Sequence, residues 1–245
     1  MISYKKKFYF FKVRETWFNY DYKLKNLFGL NIYSHVKKSG NRKPSGIKNI
    51  SHTVELSLLP SEEEILANFR NTVKQEVRKS EKEGVECSFE RDVDTFVSFY
   101  NDFANAKNIY PTNKKMIERI GDHFVISFAK LNGEILAAHS YLVDKEIGIA
   151  RLFHSASRRL DDTFDRNVIG RANKLLTSKD IFHFKDNGFK LMDFGGYAEN
   201  TEDKSLKGIN EFKLSFGGSK VECHNYQSLP YFILNRIAAK LDRRF

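Results

Sequence analysis

Two glycine pairs in the C-terminal third of the chain enclose the residues best suited to chemistry. The first pair ends the run Asp193-Phe194-Gly195-Gly196, and Gly217-Gly218 closes a segment that carries Glu211, Phe212 and Lys213. Glycine tolerates positive φ and close backbone approach because it has no Cβ. An ammonium and a carboxylate beside such turns could form part of a reaction site. The structural alternative is two tight turns with a surface lysine.

The elements that must position these residues alternate between strands and helices. The apolar patterns predict strands over 52–58, 85–90, 124–130, 135–143, 147–154 and 219–226, with a further strand ending at Asp193. Helices are predicted over 61–83, 92–107, 112–121, 165–187 and 229–243. Asn132-Gly133 is typical of a hairpin turn between two of the strands. This order favours an α/β (α+β) fold, with a mixed or antiparallel central sheet and helices on both faces.

The helix predicted over 61–83 has a well-marked start and two distinct faces. Ser61 and Glu64 have the spacing of a capping box. Basic residues recur every four positions opposite the apolar stripe: Arg70, Lys74, Arg78 and Lys82. They form either a phosphate-binding ridge or a solvated face. For phosphate, Arg78 is the best candidate because arginine binds phosphate oxygens in a bidentate manner.

Composition and charge restrict the class of protein. The chain has 245 residues, with 41 Lys and Arg against 31 Asp and Glu, and its formal net charge is +10. This favours anionic partners: nucleic acid, nucleotide-linked substrates or an anionic membrane surface. No run reaches the roughly 18 apolar residues of a membrane span, so no transmembrane segment is expected. The basic, aromatic start lacks a signal-peptide pattern, and the two cysteines favour reduced thiols. We therefore expect a cytoplasmic protein.

Several kinds of chemistry lack their usual motifs. The seven histidines form no H-x-x-x-H pattern and the cysteines form no C-x-x-C, so a metal site is not expected. There is no G-x-S-x-G elbow, P-loop or dinucleotide-binding glycine pattern. His139 and His154 are predicted on adjacent strands, where they are either acid–base groups or hydrogen-bonded structural residues.

The ordered motifs resemble the FemAB family. Leu56 to Glu64 leads into the first helix, which ends at Gly84-Val85, and Asn173-Lys174-Leu175-Leu176 follows later. The Asp193–Gly196 run and Phe212-Lys213 with Phe216-Gly217-Gly218 complete the series. FemAB proteins are aminoacyl-tRNA-dependent peptidyltransferases of the GNAT acyltransferase superfamily. The resemblance covers about residues 52–227. It implies a GNAT fold whose sheet is splayed near its middle, and transfer of an acyl group from a carrier to an amine.

The resemblance also implies roles for individual residues. Lys213 would stabilise the oxyanion of the transition state, with Phe212 packed beside it. Our own hypothesis adds that Asp193 or Glu211 would bind or deprotonate the incoming ammonium, and that Arg78 with Lys74 would bind phosphate of the acceptor. The remaining predicted substrate-binding residues are Asn173, Gly195 and Gly196.

The implied partners are an acyl carrier and a cell-envelope precursor. No tightly bound cofactor is expected, because the donor, aminoacyl-tRNA or acyl-CoA, acts as a co-substrate. The acceptor would be a nucleotide- or lipid-linked precursor of peptidoglycan or polysaccharide, and peripheral contact with an anionic membrane is expected. The N-terminal residues 1–50 are predicted to form a strand-rich appendage, a partial GNAT-like unit or sheet extension, and 51–245 the acyltransferase domain.

Two other functions stay open at this point. One is an acyl-CoA N-acyltransferase that acts on an amino sugar. Arg158-Arg159 and Arg166 supply charge near the place of a CoA pyrophosphate loop, but the glycine spacing of that loop is missing. The other is a non-catalytic GNAT-fold module that binds RNA or protein, because one scaffold hosts many activities.

Overall fold

The chain divides into two compact units. The computed structural model describes residues 1–21, 23, 26–38, 45–160 and 164–242. Unit 1 comprises Met1–His52 and Glu222–Phe245, and unit 2 comprises Thr53–Val221. The predicted division into 1–50 and 51–245 differs from these units in the placement of the C-terminal segment.

The described residues of unit 1 include strands β1 (Ile2–Phe8), β2 (Phe11–Asn19) and β3 (Asn31–Lys38), most of β10 (Ser219–Gln227), which begins in unit 2, and helix α7 (Leu229–Asp242). The strand order is β1-β2-β3-β10. Strands β1 and β2 are antiparallel, β2 and β3 are parallel, and β3 and β10 are antiparallel.

Unit 2 contains a mostly antiparallel sheet. Its strands are β4 (Ile47–Ser57), which begins in unit 1, β5 (Glu86–Phe89), β6 (Phe124–Leu131), β7 (Glu134–Asp144), β8 (Ile149–Ser157) and β9 (Leu191–Tyr197). They lie in the order β4-β9-β8-β7-β6-β5. The neighbours from β5 to β8 pair antiparallel, and β8 and β9 pair in parallel. This arrangement confirms the predicted fold class.

Helices cover both faces of the unit 2 sheet, as predicted. They are α1 (Glu62–Ala67), α2 (Asn71–Lys82), α3 (Val93–Lys107), α4 (Lys114–Ile120), α5 (Arg166–Asp186) and α6 (Lys204–Leu214). Tyr141 of β7 packs against Phe184 of α5, whereas His154 of β8 contacts Tyr100 of α3. No helix in the described part of the chain is long and apolar enough to cross a membrane.

The prediction of a single helix over 61–83 is wrong, because the helix is interrupted between α1 and α2. The capping box at its start is present: the Ser61 N–H donates to Glu64 Oε2 over 2.7 Å. Phe69 is 3% exposed and its ring lies 5.1 Å from that of Phe216. Arg70 has extended backbone (φ −58°, ψ 144°) and its N–H donates to the Ser215 carbonyl over 2.9 Å. The predicted row of cations is therefore divided, and Arg70 lies outside α2.

The two glycine pairs have different structures. Gly195 and Gly196 lie inside β9, so the prediction of a turn there is wrong. Gly217 follows α6 with a φ of +82°, and a Cβ at this position would lie 2.6 Å from Asn68 Cβ. A Cβ on Gly218 would lie 2.6 Å from Val54 Cγ1. The second pair therefore forms the predicted sharp turn, which larger residues would obstruct.

Candidate functional site

Strands β8 and β9 separate shortly after they begin to pair. Their parallel register runs from Ile149–Leu191 to Arg151–Asp193, whereas β8 continues to Ser157 and β9 to Tyr197. Residues of both strands beyond this point can therefore face a substrate instead of each other.

A fully enclosed carboxylate marks the point of separation. Asp193 is 0% exposed, and its Oδ2 accepts a hydrogen bond from Arg151 Nη1 over 2.5 Å. Its Oδ1 accepts from the Gly195 N–H over 2.8 Å and from the Thr53 hydroxyl. Arg151 Nη1 also lies 3.3 Å from Thr53 Oγ1. Because a buried charge must be paired and hydrogen-bonded, this network fixes the backbone on both sides of the opening.

Lys213 lies beside this network. Its half-buried side chain donates from Nζ to the Gly196 carbonyl, and Nζ is 3.9 Å from the position that a Cβ on Gly195 would take. Burial and the nearby Arg151 guanidinium lower the pKa of Lys213 to about 8, while Asp193 acts in the opposite direction. Within the described residues, a Cβ on Gly196 would meet no atom within 4 Å. Lys213 therefore lies against the backbone of β9, between the buried Asp193 network and the exposed Gly196.

Helix α6 holds Lys213 in place through its start, its inner face and its contact with β9. Asp203 caps the helix by accepting from the Ser205 N–H over 2.7 Å. Phe212 packs on Phe216 with ring centroids 5.3 Å apart. Asn210, 6% exposed, accepts from the Ala198 N–H over 3.0 Å and donates to the Ala198 carbonyl over 2.8 Å. These contacts join α6 to the chain just after β9.

The other charged residues predicted for the site lie elsewhere. Glu211 pairs with Arg70 over 2.7 Å, with both side chains more than half exposed. Lys74 Nζ donates to the Ala67 carbonyl over 3.0 Å, and Arg78 is exposed on α2. In the described part of the chain, none of these three residues forms a hydrogen bond or ion pair with Lys213, Asp193 or Arg151.

Asn173 belongs to a buried network between α5 and β7. Its Oδ1 lies 2.9 Å from His139 Nε2, and His139 Nδ1 lies 2.7 Å from Asp180 Oδ2. Tyr141 donates to the same carboxylate oxygen over 2.6 Å. Burial and the Asp180 carboxylate raise the pKa of Tyr141. These bonds attach the helix to the sheet, which favours the structural interpretation of His139.

His154 is enclosed by aromatic rings on the opposite face of the sheet. Its Nδ1 lies 2.7 Å from Ser140 Oγ, and its ring centroid lies 4.4 Å from that of Phe153 and 4.5 Å from that of Tyr100. Burial lowers its pKa from 6.5 to about 4. The folded protein therefore holds this imidazole in its neutral form.

The low pKa of His154 makes stability depend on pH. The unfolded chain takes up the proton near the ordinary value of 6.5 and the folded chain only near 4, so the stabilisation is complete above 6.5 and is lost as pH falls towards 4. We expect the free energy of unfolding to decrease by on the order of 2–3 kcal/mol across this range. Urea unfolding at several pH values measures it. His154→Phe should remove the part of this dependence that comes from His154, and an unchanged pH profile in that variant would contradict the assignment.

Three residues of the site were not predicted from the sequence: Arg151 and Thr53 of the Asp193 network, and Asn210 of α6. Arg151 is a cation inside the apolar run of β8, and this pattern alone could have identified it as a candidate site residue. Thr53 and Asn210 carry no comparable signal, because their residue types are common in strands and on helix surfaces.

Comparisons with known proteins identify the architecture. No protein-family model and no curated protein matches the sequence. A crystal structure of FemX matches with a TM-score of 0.61 and 12% identity, over 95% of this chain and 85% of that chain. The chain has a FemAB/GNAT-like fold.

Two further structures share this FemAB/GNAT-like fold. One is the C-terminal domain of a putative lysylphosphatidylglycerol synthetase from Agrobacterium fabrum, with a TM-score of 0.55 and 10% identity over 83% of this chain and 69% of that chain. The other is L-PGS from Bacillus licheniformis, with a TM-score of 0.53 and 12% identity over 84% and 71%. At these identities the likeness establishes the fold, and the chemistry has to be argued from the site.

Proposed function

We propose that the protein is an acyltransferase that moves an acyl or aminoacyl group from a carrier to an amine of a cell-envelope precursor. The observation that carries the proposal is the half-buried Lys213 ammonium at the point where β8 and β9 separate. The likeness to FemX and to a putative lysylphosphatidylglycerol synthetase supports this class of reaction.

Lys213 suits the stabilisation of an oxyanion. In acyl transfer the amine nitrogen attacks the carbonyl carbon of an ester or thioester, and the carbonyl oxygen becomes negative in the tetrahedral intermediate. The C–O or C–S bond then breaks, and the proton from the amine ends on the departing oxygen or sulfur. A lysine ammonium has three donors, so Lys213 can keep its bond to Gly196 while it donates to the oxyanion. A preorganised donor of this kind acts mainly on the transition state.

Asp193 is proposed as a positioning residue. Both of its oxygens are occupied inside the protein, so it fixes Arg151 and the Gly195 backbone instead of accepting the proton of a substrate. Glu211 is paired with Arg70, and we assign it no proton transfer. Exposed Arg78 is proposed as a contact for acceptor phosphate.

The carrier can be tested on the purified protein. Native mass spectrometry and the ultraviolet absorbance ratio distinguish bound RNA, an adduct of the size of CoA, and neither. Binding of tRNA should weaken steeply with salt, because phosphate contacts release counterions. A CoA compound held in the opening between β8 and β9 should be less sensitive to salt. Failure of both carriers to bind or react would contradict the proposed function.

The pKa of Lys213 predicts the form of the pH–rate profile. Because its ammonium is lost above a pH of about 8, the rate of transfer should fall as pH rises through this value. In Lys213→Arg the cation stays protonated, so the variant should be slower but should lack this descending limb. The measurement is the initial rate across pH, with the acceptor amine saturating. If the decrease in rate near pH 8 persists in Lys213→Arg, a group other than Lys213 causes it.

A further inference from the structure

The net positive charge of the chain lies entirely in unit 1. Residues 1–52 and 222–245 contain 16 Lys and Arg against 4 Asp and Glu, whereas residues 53–221 contain 25 against 27. The formal charges are therefore +12 for unit 1 and −2 for unit 2. Since the proposed acyl-transfer site lies in unit 2, this concentration of charge calls for a separate explanation.

Four of these cations share one face of the β1–β2 hairpin. In the antiparallel register Lys5 lies opposite Arg14, and Lys7 lies opposite Lys12. Side chains directly opposite each other share a face and are close, so like charges in such pairs are destabilising. On the other face, Lys6 pairs with Glu15 over 2.8 Å. An anionic surface laid against the four cations would remove their mutual repulsion.

The tip of the same hairpin is aromatic. Phe8 and Phe11 form the last pair, so Tyr9 and Phe10 make a two-residue turn. Tyr9 is 55% exposed, Phe10 99% and Phe11 47%. Tyr9 has a φ of 52°, a conformation for which hairpin turns usually employ glycine or asparagine. The Tyr9 ring packs edge-on against that of Phe8, with centroids 5.1 Å apart, whereas the Phe10 ring is almost wholly exposed. Such exceptions to the usual turn residues are expected at functional sites.

We propose that the β1–β2 hairpin is a docking site for an anionic phospholipid membrane. Its aromatic tip would enter the interfacial layer, where aromatic side chains are favoured. Lys7 and Lys12 adjoin the tip, and Lys5 and Arg14 follow about 7 Å further along the strands, at the depth of the lipid phosphates. Each such cation raises the affinity for an anionic surface about fivefold. The inference does not depend on the proposed acyl transfer.

The separation of rings from cations favours a membrane over RNA. Proteins that bind single-stranded nucleic acid combine stacking rings with the positive groove that follows the backbone. Here the cationic face carries Lys5, Lys7, Lys12 and Arg14, and the exposed rings of the hairpin lie at its end. Lysines on the end strand of a sheet also prevent pairing with other chains. That role does not account for the aromatic tip.

Vesicle binding by the full chain tests the proposal. We expect co-sedimentation with mixed vesicles of phosphatidylcholine and phosphatidylglycerol, and much weaker binding to phosphatidylcholine alone. Phe10→Ser should weaken binding about tenfold, and Lys7→Glu with Lys12→Glu at least about 25-fold. The matched control is Lys107→Glu with Lys115→Glu, which makes the same change in charge at exposed positions of unit 2 and should bind like the parent chain.

Fluorescence locates the inserted residue. Phe10→Trp should show a blue-shifted emission on the mixed vesicles, relative to the parent chain with its one Trp17. Phe28→Trp, at a position 82% exposed in the same unit, serves as the matched control without a shift. Equal thermal midpoints of the variants exclude unfolding as the cause. Unchanged vesicle binding in both hairpin variants, or displacement of the protein from vesicles by tRNA with no effect of Phe10→Ser, would overturn the proposal.

Discussion

Lys213→Ala is expected to lower the rate of acyl transfer by about 10²–10³-fold, as does loss of one oxyanion donor in other acyl-transfer sites. The side chain is half-buried and its Nζ donates to the Gly196 carbonyl at the end of β9. Truncation removes the cation from the opening between β8 and β9 and leaves Phe212, which packs on Phe216, in place. The decrease should appear in the rate at saturating donor, measured with labelled aminoacyl-tRNA or acyl-CoA and an amine acceptor.

A neighbouring lysine gives the control for this variant. Lys207→Ala removes a cation from the same helix, where Lys207 pairs with Glu202 at the surface, and it should keep the parental rate. Circular dichroism and the thermal midpoint of both variants should match those of the parent chain. If Lys213→Ala turns over at the parental rate with the same donor and acceptor, Lys213 does not take part in the reaction.

Arg151→Met is expected to destabilise the protein by about 3–5 kcal/mol, because it removes the guanidinium that is hydrogen-bonded to the buried Asp193 carboxylate. Asp193 is 0% exposed and lies 2.5 Å from Arg151 Nη1. Methionine keeps much of the length of the side chain, so the loss reflects mainly the removed charge. Urea unfolding measures the difference in free energy, and the same variant should lose transferase activity because the backbone at Gly195 is no longer fixed.

Two further variants separate the charge from the packing. Arg151→Met combined with Asp193→Asn should recover part of the stability, because the buried carboxylate is removed as well. Lys179→Met removes the cation of a pair with Glu81 in which both side chains are nearly half exposed, and it should cost at most about 1 kcal/mol. If Arg151→Met lowers the free energy of unfolding as little as Lys179→Met does, the Asp193 carboxylate is not charged in the folded protein.

The features predicted correctly from the sequence depend on residues close together in the chain. Ser61 and Glu64 form the capping box, and Asn132 and Gly133 adopt φ values of 51° and 82° in the predicted hairpin. The helix break at Phe69 was not predictable in this way. It depends on contacts with Phe216 and Ser215, almost 150 residues later, and no local pattern carries that information.

The candidate site likewise combines a residue that a local motif predicts with residues that only distant contacts bring together. Lys213 was proposed from a local motif, and the structure places it beside the Asp193 network. The partners of Asp193 come from distant strands, since Thr53 and Arg151 are 140 and 42 residues away in sequence. Gly195 was expected in a turn because glycine often occupies turns. Its φ of +81° occurs instead within β9, where its N–H reaches the Asp193 carboxylate.

The short parallel register between β8 and β9 has a consequence for the order of folding. Strands β6, β7 and β8 are joined by short turns and can pair early, whereas β9 can join β8 only after the chain of α5 has crossed over. Contacts between distant segments form slowly because loop closure must come first. Arg151 can therefore meet Asp193 only after this crossover. A chain in which only β6, β7 and β8 have paired contains no assembled site.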